Sequence, residues 1–163
     1  MSVSLYEATV PGFIQHLNTL DRLLTKGENH VGEDGHQKLL DARLIEDMKP
    51  LTYQIQRLSD TSKFLAVRAG GIESEPWVDD ETTFPQLHAR IQKTIKFLEK
   101  LDGKFPEDVA TKEVDFSGRT MPGKDYILRF VIPNFFFHYV TAYGLLRKEG
   151  VPVGKLDYLG QTQ

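Results

Sequence analysis

One periodic stripe constrains the fold of this chain more than any other feature. Leu44, Met48, Leu51, Ile55, Leu58, Ser62, Leu65 and Ala69 succeed one another in alternating steps of four and three. That spacing puts them all on one face of an α-helix. A stripe of about seven turns needs other helices packed along its length, as in a helical bundle. Pro50 lies inside the stripe and predicts a bend near Glu46. Gly70-Gly71 predicts a C-terminal stop.

Three further stretches have helical character. In the first, Leu5, Ala8, Phe13, Leu17, Leu20 and Leu24 recur at helical spacing, and Pro11 implies either a kink or a later start. The segment Lys26 to Gly35, KGENHVGEDG, reads as a polar loop flanked by solvated His30 and His36. A loop from Ile72 to Asp80 carries Trp77 and leads to the third stretch, with Asp80 or Thr82 as its cap. The apolar face there is Phe84, Leu87, Ile91, Ile95, Leu98 and Leu101. From Asp102 to Gly123 the chain is rich in turn residues, and Glu113-Val114-Asp115-Phe116 alternates before Ser117-Gly118, the pattern of a small β-hairpin. The fourth helix runs from about Lys124 to Glu149 and stops at Gly150. No internal repeat or linker divides the chain. The expectation is a single all-α domain over residues 1–163, a four-helix bundle with a small β-hairpin between helices 3 and 4.

Composition narrows the chemistry. The absence of cysteine excludes a disulfide framework, a thiolate zinc site and a cysteine nucleophile, and it fits a reducing compartment. MSVSLYEATV shows no secretory signal pattern, so the expected location is cytoplasmic. The 20 basic and 23 acidic residues are well mixed, without a basic stripe, so nucleic acid is not an expected partner. The most apolar run, Phe130 to Leu146, is broken by Pro133, Asn134 and His138. It falls short of the roughly 20 apolar residues of a membrane span and reads as a buried helix.

That run contains PNFFFHYVTAY, where polar groups interrupt a helix face. Asn134, His138 and Thr141 stand at i, i+4 and i+7 among Ile127, Phe130, Phe137 and Leu145. An unpaired buried amide or imidazole costs about 1–3 kcal/mol, so each needs a partner. Two readings stay open. These groups bond to neighbouring helices and fix the bundle's register, or they line a ligand or metal pocket in the core. Candidate partners are His16 on the first helix, Asp47 and Gln54 beside the stripe of the second, and His88 on the third. Trp77, Tyr53 and Phe137 are candidate apolar walls. His138, with an ordinary pKa near neutrality, is the candidate general acid or base. The run Phe135-Phe136-Phe137 covers too wide an arc to face one way, and for Phe135, Phe136 or Tyr139 a homodimer contact and a central place in the bundle are both open. No HExxH, paired ExxH, phosphate loop or GxSxG occurs.

Several blocks together resemble a known superfamily. LYEATVPGFIQHLNTLDRLL, ARLIEDMKPLTYQIQ, DDETTFPQLHARIQKTIKFLEKL, PGKDYILRFVIPNFFFHYVTAYGLLRKEGVPVGK and the closing DYLG look like an uncharacterised branch of the DinB-like superfamily, from about Leu5 to Gly160. The resemblance implies a DinB-like four-helix bundle. Better-known relatives carry a three-histidine site for a divalent metal, one ligand from the second helix and an HxxxH pair on the last, and some are thiol-dependent transferases or isomerases. Here the pair reads Asn134-x-x-x-His138, and the second helix offers Gln54 or Asp47 in place of histidine. A Gln/Asn/His set is poor for zinc, so the ligand set is incomplete and no residue is assigned to a metal. The expectation is a small-molecule pocket around His138 and Asn134, with Gln54, Asp47, His16, Thr141 and Trp77 as further ligand-binding candidates. The alternatives are a metal-dependent transferase or isomerase of the DinB type and a non-catalytic homodimeric interaction protein.

Overall fold

In the computed structural model, which describes residues 2–161, the long stripe becomes helix α2, Leu51–Arg68. It begins at Pro50, not before it. Proline has no N–H to give to a preceding turn, so it sets the start of the helix where a bend was expected. Leu44, at the head of the stripe, is exposed in the loop that leads to α2. At the other end Gly71 takes a φ of 75°, and the N–H groups of Gly71 and Ile72 bond to Val67 O and Ala66 O. This is a Schellman stop, which needs a residue free to adopt left-handed φ.

Helix α1 spans Val10–Leu40. Pro11 lies in its first turn, where its missing N–H costs nothing, so no kink arises there. The segment expected to be a polar loop is helical apart from Gly32 (φ 64°, ψ 173°), which joins two helical runs across a kink. Tertiary packing overrides local polarity here. Gly27 is buried against Leu146 and Leu39, and Leu39 and Leu40 belong to the core. His30 is exposed and His36 half-buried, its ring edge-on to Phe84.

Helix α3, Phe84–Glu99, is capped by Thr83, not by Asp80 or Thr82. Gln86 N donates to Thr83 Oγ1, and Gln86 Oε1 accepts from Thr83 N at 3.1 Å, a reciprocal capping box. Strands β1 (Glu113–Phe116) and β2 (Arg119–Pro122) pair antiparallel, with Val114 opposite Met121 and Phe116 opposite Arg119. Ser117 and Gly118 both have positive φ, as a two-residue hairpin turn of the primed type requires.

The last long helix is composite. A single turn, α4 (Gly123–Asp125), runs into a π-helical turn over Tyr126–Val131, then into α5 (Ile132–Lys148), and a short α6 (Lys155–Tyr158) follows. Ile132 N bonds to Ile127 O, five residues back, and Pro133 comes next with no N–H to give. One residue added to a turn moves the following faces by roughly 100°. The buried line is therefore Ile127, Val131, Phe135, Tyr139, Ala142 and Leu146, whereas Phe137 is exposed. Phe135 stacks on Phe13 with ring centroids 3.8 Å apart, and Phe135 and Tyr139 are interior residues.

Around the bundle the order is α1, α3, α2, α5, with α1 closing against α5. Leu17, Leu20, Leu24, Ile55, Leu58, Leu65, Ile91, Leu98 and Leu145 fill the centre. Among the described residues no helix is long and apolar enough to cross a membrane.

Candidate functional site

The interface between α2 and α5 carries the polar groups that the sequence singled out. Gln54 and His138 are both buried, and His138 Nδ1 lies 2.8 Å from Gln54 Oε1. The direction of that bond follows from the other end of the amide. Gln54 Nε2 donates to Lys49 O at 2.9 Å, so the oxygen must face the imidazole and Nδ1 must carry the proton. Nε2 keeps its lone pair and has no hydrogen bond to protein among the described residues. Burial, reinforced by the positive charge of Arg57, pushes the His138 pKa down to about 4. At neutral pH the ring is uncharged, a base and acceptor and not an acid. Tyr53 presents its ring to the imidazole with centroids 6.2 Å apart.

One turn earlier on α5, Asn134 Nδ2 donates to Thr61 Oγ1 at 2.7 Å. The Thr61 hydroxyl gives its own proton to Arg57 O, so it can only accept from Asn134, which fixes that amide too. Asn134 Oδ1 is then turned away from Thr61. Arg57, Thr61 and Asn134 line a cleft of about 180 Å³ that continues to Arg68, Phe116, Tyr126 and Phe130. The cleft is walled by α2, β1, the π-helical turn and α5. The π turn supplies Tyr126 and Phe130 to it, in keeping with the frequent use of such turns at functional sites.

The remaining candidates take no part in these hydrogen bonds. Thr141 Oγ1 donates to Phe137 O on its own helix at 2.6 Å. His16 sits on a different face of α5, its ring against Phe136 and Tyr139 at 5.2 and 4.9 Å, with burial lowering its pKa and Nδ1 buried without a partner. Trp77 packs on Phe97 of α3, with Lys63, Arg90 and Lys93 around its ring. Asp47 is exposed in the loop before α2, beyond the helix it was expected to border. The structure thus groups Gln54, Asn134 and His138 and separates them from His16, Trp77 and Asp47, while Thr141, on the next turn of α5, bonds within its own helix. His88, weighed as a partner, bonds instead to Asp21 of α1 at 2.6 Å and faces Glu28 at 3.4 Å.

Several polar residues at the interfaces have no counterpart in the sequence reading. Arg90 is buried and fully bonded: Nε to Ser59 Oγ, Nη1 to Val78 O and Glu81, Nη2 to Asp60 and Asp79. It ties the loop before α3 to α2. Its signal was present, since Arg90 is three residues from Leu87 and next to Ile91 on the buried face of α3. Arg57 pairs with Asp60 and Asp79 and so joins this cluster to the His138 seam.

A divalent metal of the kind the superfamily resemblance implies does not fit these groups. The Gln54 oxygen is engaged by His138 Nδ1, and Asn134 presents its amide nitrogen to Thr61. Among the described residues no three His, Cys, Asp or Glu side chains stand close enough to hold one ion. Only His138 Nε2 remains as a strong donor, and a single imidazole is not a zinc site.

The architecture is that of a DinB-like helical bundle. A crystal structure described as a DinB family member protein from Shewanella denitrificans superposes on it with a TM-score of 0.84, at 34% sequence identity, covering 97% of this chain and 93% of that one. The chain belongs to the family described as Domain of unknown function (DUF1993), whose model matches residues 5–159. No curated protein matches the chain.

Proposed function

We propose that the chain binds a small molecule in the α2–α5 seam, with His138 and Asn134 as its orienting groups. One observation carries this reading: a buried imidazole is held by Gln54 in one tautomer, with its Nε2 lone pair unengaged by the protein. That lone pair is an acceptor at which a ligand N–H or O–H can bond without breaking any contact within the protein. Asn134 Oδ1 adds a second acceptor one turn away, and the cleft beside it offers room for a ligand. If a reaction occurs there, His138 takes a proton in it, because a ring with a pKa near 4 has none to give at neutral pH.

The test is a fragment titration of protein carrying ¹⁵N-labelled histidine, with indazole, 2-aminopyridine and benzamide as probes. At least one probe should move the His138 Nε2 resonance saturably, and His138→Gln should abolish that binding. The reading is lost if no probe moves Nε2, or if the variant binds every probe unchanged.

A further inference from the structure

Resting on that binding reading, we infer that the far end of the cleft is an anion subsite built on Arg68, and that the ligand is a small carboxylic acid with a flat apolar body. The Arg68 guanidinium lies over the rings of Phe64, Phe116 and Tyr126, its carbon 4.3, 5.4 and 5.8 Å from their centroids. Among the described residues it makes no ion pair, and its one hydrogen bond is Nη1 to Tyr126 Oη at 3.2 Å. The cage fixes the plane of the guanidinium and strips part of its hydration, which strengthens its grip on an incoming anion.

Tyr126 adds a second donor. Its oxygen accepts from Arg68, and its own proton has no acceptor among the described residues, so both groups can turn donors on one carboxylate. Arg57 also borders the cleft, and its Nε is buried without a partner. Asp60 is the one acid on the lining, already bonded to Arg57 and Arg90. Its remaining field opposes a dianion, which favours a singly charged carboxylate over a phosphate ester. Phe116 and Phe130, with ring centroids 3.9 Å apart, supply an apolar wall for the body of the ligand, which points toward Asn134.

Benzoate and its neutral isostere benzamide separate the charge requirement from the seam itself. Binding is followed through the Arg68 Nε–H, Asn134 amide and His138 ring resonances of ¹⁵N-labelled protein. Benzoate should shift the Arg68 signal saturably and bind at least about tenfold more tightly than benzamide. Arg68→Gln should remove that preference, and Arg68→Lys, which keeps the charge but not the fork, should restore only part of it. Unchanged thermal midpoints would show that the variants fold. Equal affinities for the two probes, an unmoved Arg68 signal, or an intact preference in Arg68→Gln would each overturn the inference. Equal affinities accompanied by shifts at Asn134 and His138 would do so while leaving the seam reading standing.

Discussion

His138 and Gln54 meet across the α2–α5 interface at 2.8 Å, the imidazole donating through Nδ1 and the amide accepting through Oε1. The Lys49 carbonyl, by taking the other end of the amide, decides which way that bond runs. One backbone group in the loop before α2 therefore selects the tautomer of a histidine on α5. This is the arrangement from which the functional reading grows.

Gln54→Glu tests the electrostatics of the pair. A carboxylate beside a buried imidazole favours its charged form, so the His138 pKa should rise from about 4 toward neutrality. An NMR titration of the ring reads this directly. Gln54→Leu instead leaves the Nδ1 proton buried and unbonded and should cost about 1–3 kcal/mol in urea unfolding.

The depressed His138 pKa also carries a stability consequence. The native state prefers the neutral ring, so its contribution is complete above the ordinary value of 6.5 and disappears as pH falls toward about 4. Between those limits, stability should fall by on the order of 2–3 kcal/mol more in the wild type than in His138→Gln. Parallel pH–stability curves for the two proteins would sink this account.

Arg90 is a different kind of residue, buried and bonded through all of its nitrogens. Arg90→Met takes the guanidinium from Glu81, leaves Asp60 and Asp79 to Arg57 alone, and should destabilise by about 3–5 kcal/mol. Amide exchange should speed up in the loop before α3. Arg90→Lys should rescue little, because one ammonium cannot replace the fork.

Between α1 and α3 the sign is reversed. The hydrogen bond to Asp21 raises the His88 pKa, burial opposes it, and the Asp21 and Glu28 charges add to the rise. The stability this supplies is present below pH 6.5 and lost as pH climbs through the raised value. His88→Gln should therefore weaken the protein at about pH 6 and have a smaller effect at about pH 9. An equal effect at both would place the contribution in packing and not in charge.

Much of this was legible in the sequence, for identifiable reasons. The stripe from Leu51 to Ala69, the alternation of Glu113–Phe116 and the glycine stops are local signals, and each produced its element. Asn134 and His138 were recognisable as polar intrusions on a helix face meant for the core, and Gln54 as a polar group beside the stripe of α2. The continuation of α1 past Lys26 was not legible, since it depends on Gly27 packing against Leu146 more than 100 residues away. The true core face of α5 was hidden too, because the π turn before Pro133 shifts the register by one residue. Asp47 was misplaced for a simpler reason: Pro50 starts α2, and the residues before it leave the helix.

The most direct measurement is a crystal structure of the protein soaked with the fragment that best perturbs His138. Ligand density should lie within about 3.2 Å of His138 Nε2 and reach Asn134 and the Arg68 cleft. Density confined to another surface, with His138 Nε2 closed off by protein alone, would contradict binding in the seam.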